Sequence, residues 1–351
     1  MRFSIVGWAA MFAVYLLSGT AARSENAPAK GSPTVLQARR LAERGLEFIR
    51  KDAVEWRTTR KCASCHQGSM TVWALAEAKS QGYAIPVGAL AEAAEWSKER
   101  LVGLEMPRAD TPGGKTLNTG ALIAGLIAAT VPSQDAIAAA DVQRIIDHLR
   151  RYQDADGAWR WSPIPSKNRP PPVFESDQLA TVLTDLVLGT QDSADPEQAS
   201  ARRDSREQAA AWLDKNSTTE TVQVQAFRLL RDVRAGKSRR EINARVSRLL
   251  GAQSKDGGWS PEKDVPSDAY STGQVLYVLS FAGVKPEKKE IQRAIEFLAL
   301  NQESNGSWFV APRGAPGEKP FSNPAPISYF GSAWATMGLM RMAPVIARPP
   351  R

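Results

Sequence analysis

Hydrophobic and polar positions alternate along most of the chain with the period of an α-helix. The segments VQRIIDHLRRYQ (142–153), ARVSRLLGAQ (244–253) and IQRAIEFLALNQ (291–302) place apolar residues three and four positions apart. Each is followed by a loop and then by a more apolar segment, such as ESDQLATVLTDLVLG (175–189) or PSDAYSTGQVLYVLSFAG (266–283). A helix that is apolar nearly all round is buried on all sides. The pattern therefore predicts helical hairpins, each with an amphipathic outer helix and a buried inner helix.

A short repeat joins the two helices of several hairpins. Gln-x-x-x-Gly-x-Trp occurs three times, and its spacing fits a period of about 50 residues, with a degenerate copy near 209–223. This period predicts six hairpins and an all-α fold. The very apolar inner helices favour closure into an (α/α)6 toroid over 35–343, and an open stack of hairpins is the alternative. The three copies are QDADGAW (153–159), QSKDGGW (253–259) and QESNGSW (302–308).

These copies resemble the QW repeats of squalene–hopene and other triterpene cyclases. The predicted toroid is similar to that of class II terpenoid cyclases and of protein prenyltransferase β-subunits. The resemblance implies the fold, but the DxDD and DDxxD motifs of those enzymes are absent from this sequence. Asp177 and Asp268 head inner helices and are weak candidates for a catalytic acid; helix capping is the alternative. Because one fold hosts many functions, the resemblance does not decide the chemistry.

The first 22 residues have the layout of a secretory signal peptide. The basic start MRF precedes the apolar run SIVGWAAMFAVYLLSG and the small residues TAA. We expect a signal peptide at 1–22, a flexible linker at 23–34 and a tail at 344–351; an uncleaved N-terminal anchor is the alternative. The mature chain is therefore predicted to be secreted and periplasmic, with no membrane span.

Charge excludes one class of partner. The net charge of +8 is spread along the chain, without a basic run interleaved with aromatic residues. No nucleic-acid partner is therefore expected, although a loose affinity for anionic surfaces or acidic partners is compatible with this charge.

The segment CASCH (62–66) contains the only two cysteines of the chain and one of its two histidines. C-x-x-C-H is the signature of covalent c-type haem attachment. Cys62 and Cys65 would form the thioether bonds of one haem c, and His66 would be the proximal ligand of its iron. A disulfide or redox-active thiol pair, part of a zinc site, and no chemical role are the alternatives.

Alignment of the hairpins places CASCH at the start of the first inner helix. A haem there would face one mouth of the ring, where Tyr270 and Tyr329 also begin inner helices. Met106, in the loop before the second inner helix, and His148, on an outer helix, are weak candidates for the distal iron ligand. A packed histidine and an open or water-bound distal position are the alternatives.

These observations predict a periplasmic c-type haem protein on a terpenoid-cyclase-like toroid. Its role would be redox: electron transfer, haem-based catalysis or sensing. The expected partner is a redox protein or an apolar small molecule, because aromatic residues crowd the predicted mouth; packing within the repeats is the other explanation for the tryptophans. Two further hypotheses are an isoprenoid cyclase-like enzyme and a binding toroid with a structural Cys-x-x-Cys disulfide.

Overall fold

Twelve α-helices follow one another in the computed structural model, which describes residues 32–61, 65–103, 119–131, 136–160, 176–190, 194–216, 221–262, 264–313 and 322–345. Within these residues there is also one π-helix, Cys65–Met70, and two isolated β-bridges, but no β-strand. The prediction of an all-α fold is confirmed. The helices are α1 Pro33–Arg60, α2 Thr71–Gln81, α3 Ala89–Val102, α4 Thr119–Thr130, α5 Ala139–Arg150, α6 Asp177–Leu188, α7 Pro196–Lys215, α8 Val222–Arg234, α9 Arg239–Gly251, α10 Ala269–Phe281, α11 Lys289–Leu300 and α12 Ala325–Met342.

The even-numbered helices form a closed inner ring. Contacts run from α4 to α6, α8, α10 and α12 in turn, α12 packs on α2, and the π-helix that leads into α2 packs on α4. The odd-numbered helices lie outside them, and every residue of α10 is buried. The predicted six hairpins are therefore present, and they close into an (α/α)6 toroid.

The tryptophan of each Gln-x-x-x-Gly-x-Trp turn holds the turn against the outer helix that precedes it through a hydrogen bond. Trp159, Trp259 and Trp308 are fully buried. Each indole N–H donates a 2.8 Å hydrogen bond to a carbonyl at the end of the preceding helix. Packing within the repeats, not contact with a partner, therefore explains these three tryptophans. The acceptors are the carbonyls of Leu149, Leu249 and Leu298.

The glutamine of each turn reaches the next outer helix of the ring. The Gln153 amide donates to the carbonyl of Ser205 in α7, at 2.7 Å, and Gln253 donates to that of Glu290 in α11, at 2.7 Å. Gln302 donates to the carbonyl of Leu41 in α1, at 3.0 Å. Because α11 is the last outer helix and α1 is the first, this third bond joins the two ends of the chain and closes the outer ring.

The glycine of each turn lets the backbones of neighbouring hairpins approach. Gly157, Gly257 and Gly306 all have φ between +92° and +94°, a region that side chains of L-amino acids rarely adopt. A Cβ at Gly306 would lie 2.4 Å from the carbonyl oxygen of Arg44 in α1. The repeat therefore requires glycine for both its backbone conformation and the space beside it.

Aromatic rings and glycines pack closely where α2, α10 and α12 meet in the inner ring. The Trp73 ring of α2 lies 4.9 Å from that of Trp334 in α12 and 6.1 Å from that of Tyr277 in α10, all edge-on. Helices α10 and α12 approach closely because Gly273 and Gly338 have no side chain; a Cβ on Gly273 would lie 2.3 Å from the backbone of α12. These three inner helices therefore form a tightly packed part of the core.

A buried ion pair joins α2 and α12 near their C-terminal ends. The Arg341 guanidinium bonds both carboxylate oxygens of Glu77, at 2.9 Å each, and also the carbonyl of Thr130 in α4, at 2.9 Å. The side chains of Gln81 and Tyr277 donate to the same carboxylate. Removing one partner of such a pair leaves an uncompensated buried charge. The seam where the ring closes is therefore fixed by a specific polar network.

The predicted signal peptide at 1–22 lies outside the described residues, as do most of the predicted linker and tail. Those boundaries remain predictions. Ser32 caps α1 through its side chain, and the helix begins at Pro33. No described helix combines the length and the apolar character that a membrane crossing needs.

Replacing Gly306 by alanine tests the close approach between neighbouring hairpins. Gly283 offers a matched control, because it also has positive φ, +80°, but no atom lies within 4 Å of the position of an added Cβ. We expect Gly283→Ala to lower the free energy of unfolding by about 1–2 kcal/mol through backbone strain alone. Gly306→Ala should cost about 1–3 kcal/mol more, since the α1 backbone must move. Urea unfolding followed by circular dichroism measures both, and equal losses would contradict the role given to the repeat.

Candidate functional site

The π-helix Cys65–Met70 begins with the last two residues of the CASCH motif, Cys65 and His66, and leads into α2. It packs on α1, α3, α4 and α12. The first turns of neighbouring inner helices meet at this end of the ring: the hydroxyls of Thr71 and Tyr329 lie 2.6 Å apart, and the Gln223 amide donates to the Tyr270 hydroxyl at 3.0 Å. We call this end the N-terminal mouth. His66 lies there, as the alignment of hairpins predicts.

The His66 imidazole is half-buried between aromatic rings. Its ring lies edge-on to Trp56 of α1, with centroids 5.0 Å apart, and to Phe330 of α12, at 6.2 Å. Burial, with a smaller contribution from the positive charge of Arg100, lowers the pKa of His66 from 6.5 to about 4. The imidazole is therefore neutral near pH 7, which is the form that can coordinate a metal ion. An apolar, aromatic setting also suits a large apolar macrocycle, so the residues present fit a haem.

Hydrogen bonds connect the π-helix, α1, α2 and α12 around His66. The Gln67 amide donates to the Asp52 carboxylate at 3.0 Å, and burial raises the pKa of Asp52. The Tyr329 hydroxyl bonds the Ile49 carbonyl at 3.1 Å, and the Thr71 hydroxyl donates to the Gln67 carbonyl. Sequence reasoning missed Asp52 and Trp56, because both lie on the amphipathic α1 and nothing in its period distinguishes them from ordinary surface residues.

The other predicted haem residues are described only in part. Cys65 is the first residue of the π-helix, whereas Cys62, Met106 and all the side-chain atoms of Cys65 lie outside the described part of the structure. His148 is buried in the last turn of α5, with its ring centroid 4.8 Å from that of Tyr152. Burial, followed by the charge of Arg151, lowers the pKa of His148. Helix α5 packs on α4 and α6, and the distal roles of Met106 and His148 stay predictions.

Asp177 and Asp268 both stand at the start of an inner helix. Asp268 caps α10 by accepting a 2.7 Å hydrogen bond from the Ser271 N–H, and it is ion-paired with Arg313. Asp177 is the first residue of α6, 3.3 Å from the Arg160 guanidinium. Each carboxylate is therefore paired with an arginine at the head of its inner helix. A catalytic role for these residues stays a prediction.

The Ser-Asp pair at the head of an inner helix is predicted to supply the N-cap. The structure confirms this for both helices, but a different residue of the pair caps each one. Asp268 caps α10, whereas in α6 the cap is Ser176, whose hydroxyl accepts from the Leu179 N–H at 3.1 Å. Within the described residues, no three His, Cys, Asp or Glu side chains are grouped so that they could hold a metal ion.

No family model matches the sequence, and no curated protein matches it. Among solved structures, the chain is similar to the type II terpene cyclase MstE from Scytonema in complex with the substrate geranylgeranyl dihydroxybenzoate, with a TM-score of 0.53 and 15% identity over 90% of this chain and 99% of that chain. The complex of the same cyclase with the product merosterolic acid A gives 0.52 at 15% identity over 90% and 99% of the two chains. Its apo structure gives 0.50 at 14% identity over 90% and 100%.

At these identities the likeness establishes the fold alone. The likeness spans almost the whole of the cyclase chain, and it agrees with the toroid predicted from the repeats.

Protonation of His66 gives the haem-free protein a characteristic pH dependence. The unfolded chain takes up this proton near pH 6.5, but the folded chain only near pH 4. The contribution of His66 to stability is therefore present above 6.5 and is lost as the pH falls towards 4. We expect a loss of at most about 3 kcal/mol, since solvent screens part of the effect at a half-buried ring.

Urea unfolding of the wild type and of His66→Gln between pH 7 and 4 isolates this contribution as the difference between the two proteins. The wild type should lose more stability than the variant as the pH falls. His148→Gln serves as the matched control, because it should keep the His66 contribution. A His66 resonance that titrates near pH 6.5 in the folded protein would contradict the assignment.

Proposed function

We propose that this protein is a c-type haem protein built on a terpene-cyclase-like toroid, with a redox role in the periplasm. Cys62 and Cys65 would hold the haem through thioether bonds, and His66 would be the proximal iron ligand. The observation that carries the proposal is the position of His66 at the N-terminal mouth, half-buried with Trp56 and Phe330 edge-on to its ring. When bound, the haem supplies one-electron chemistry at its iron.

The chain's own residues would orient the ligand and shield it from water. Trp56 and Phe330 restrict rotation of the imidazole from two sides, because they belong to different helices, α1 and α12. The bond from Gln67 to Asp52 fixes the residue next to His66. A ligand held by packing and by a second layer of hydrogen bonds keeps its geometry when the metal changes its charge.

The distal side decides which redox role the protein has. Electron transfer is favoured if Met106 or His148 completes the coordination of the iron, and haem-based catalysis or sensing is favoured if the position is open. The partner is then a redox protein in the first case and an apolar small molecule in the second. The periplasmic location rests on the signal-peptide pattern of 1–22, and a compartment that matures c-type cytochromes is also what the motif requires.

A second candidate function rests on the likeness to MstE. Because that cyclase was crystallised with geranylgeranyl dihydroxybenzoate, the toroid of this chain is a candidate for binding or cyclising an isoprenoid. Asp177 and Asp268 would be the acids. Both carboxylates are already engaged in ion pairs, with Arg160 and Arg313, and the sequence lacks the DxDD motif, so we place this function second.

Covalent haem attachment is tested by expressing the chain with cytochrome c maturation machinery. The purified protein is denatured and its pyridine haemochrome spectrum is recorded. We expect a c-type spectrum that stays with the polypeptide, at one haem per chain, and that is lost in Cys62→Ser/Cys65→Ser.

The two histidines give a matched pair of controls. His66→Gln should abolish stable iron ligation, whereas His148→Gln should keep the covalent haem and change the native spectrum only if His148 is the distal ligand. A colourless wild-type chain would overturn the haem proposal. Conversion of an isoprenoid by the cysteine-free protein would then support the second function.

A further inference from the structure

A groove opens between the outer helices α1 and α3. Its volume is about 140 Å³, and its floor is formed by Thr71 and Leu75 of the inner helix α2. One wall includes Val54 and Arg57 of α1, and the other includes Trp96 of α3. The groove therefore passes through the outer layer of the toroid and reaches the inner ring from the side.

The groove lies between two outer helices that no Gln-x-x-x-Gly-x-Trp turn connects. Gln-x-x-x-Gly-x-Trp turns follow α5, α9 and α11 and tie each of these helices to the next outer helix. No such motif follows α1 or α3 in the sequence. A second opening, of about 230 Å³ and lined by Lys98 and Asp141 among others, lies between α3 and α5. Helix α3 thus has an opening on each side, and no Gln-x-x-x-Gly-x-Trp turn connects it to α1 or to α5.

The rim of the groove between α1 and α3 exposes apolar side chains. Val54 is 56% exposed and Val87 is fully exposed, although large apolar residues in this chain are mostly buried. Pro86 and Trp96 continue the same surface. Such a concave apolar surface with a few polar groups at its edge has the character of a small-molecule site.

Arg57 gives this surface a polar end. Arg50 also lines the groove, but its guanidinium makes a bidentate pair with Glu47. Within the described residues Arg57 makes no ion pair with a carboxylate, and Glu92, the acidic residue of the lining, belongs to the opposite wall on α3. The α1 edge therefore offers a cation to an anionic group, and the apolar surface offers a site for a hydrocarbon chain.

We infer that this groove binds the free carboxylate of a medium-chain acyl compound, with the head group at Arg57 and the chain along Val54, Leu75 and Trp96. The volume of about 140 Å³ would hold about five water molecules, or about five methylene groups. The remaining methylene groups of a ten-carbon chain would lie along the exposed apolar rim at Val54 and Val87. The inference goes beyond the proposed function, and it does not depend on haem.

Calorimetric titration of the mature protein with decanoate, at concentrations at which decanoate is monomeric, tests this site. We expect saturable binding of one decanoate per chain. Arg57→Gln should weaken the binding of decanoate about three- to tenfold, the range for one partly exposed charged contact, and should leave the binding of decanol unchanged. Arg40→Gln is the matched control, since Arg40 is an exposed arginine of the same helix that does not line the groove.

A second variant fills the groove instead of removing its charge. Val54→Trp places a large side chain from an exposed position, so the core is not altered, and it should abolish the binding of both decanoate and decanol. Circular dichroism and urea unfolding report whether the variant folds; if it does not, the Arg57→Gln comparison still decides the question. Cys62→Ser/Cys65→Ser should bind decanoate as the wild type does, which separates this site from the haem proposal.

Five outcomes would overturn the inference. They are the absence of saturable decanoate binding, uptake of many decanoate molecules without saturation, equal affinities for decanoate and decanol in the wild type, an unchanged decanoate affinity in Arg57→Gln, and wild-type binding by a folded Val54→Trp variant.

Discussion

The outer ring closes where the turn after α11 meets α1: the Arg44 guanidinium donates to the carbonyls of Glu303 and Ser304, and the Gln302 amide makes a hydrogen bond to the Leu41 carbonyl. These bonds join the last outer helix to the first, across most of the length of the chain. Such a contact has a high cost in loop-closure entropy, and it is stable only because several local features support it together. The buried Trp308 fixes the turn, and Gly306 permits the close approach to α1. The buried pair of Glu77 and Arg341 then fixes the same seam in the inner ring.

The two openings beside α3 lie between outer helices that no Gln-x-x-x-Gly-x-Trp turn connects. Three turns tie α5 to α7, α9 to α11 and α11 to α1, so the corresponding outer helices have little freedom to separate. The sector around α3 depends instead on the apolar contacts of a few buried residues, among them Leu90 and Leu101. In repeat architectures a departure from the repeat commonly marks a position that has been given to function. Here the hairpins that begin with α1, α3 and α7 all lack the motif; the first carries CASCH, and the groove lies between the first and the second.

Sequence reasoning reached the hairpins because their signals are local. The helical period of IQRAIEFLALNQ and the Gln-x-x-x-Gly-x-Trp turn each involve a short segment. Each can be recognised without knowledge of the rest of the chain. The contacts around His66 are of another kind. Trp56 and Phe330 lie 10 and 264 residues away from it, and only the closed ring brings them together. The π-helix of Cys65–Met70 was also missed, since its hydrogen-bond shift has no signature in the residue pattern.

The proposed haem site and the groove between α1 and α3 lie near each other in the fold. Trp73, Tyr277 and Trp334 pack together where α2, α10 and α12 meet in the inner ring. His66 lies at the mouth, and the groove enters beside Thr71 on the same inner helix, five positions further along. The Thr71 hydroxyl donates to the carbonyl of Gln67, the residue that follows His66. Both candidate sites therefore lie along the first inner helix. This helix follows the cysteine motif, and no Gln-x-x-x-Gly-x-Trp turn connects the outer helices α1 and α3 beside it.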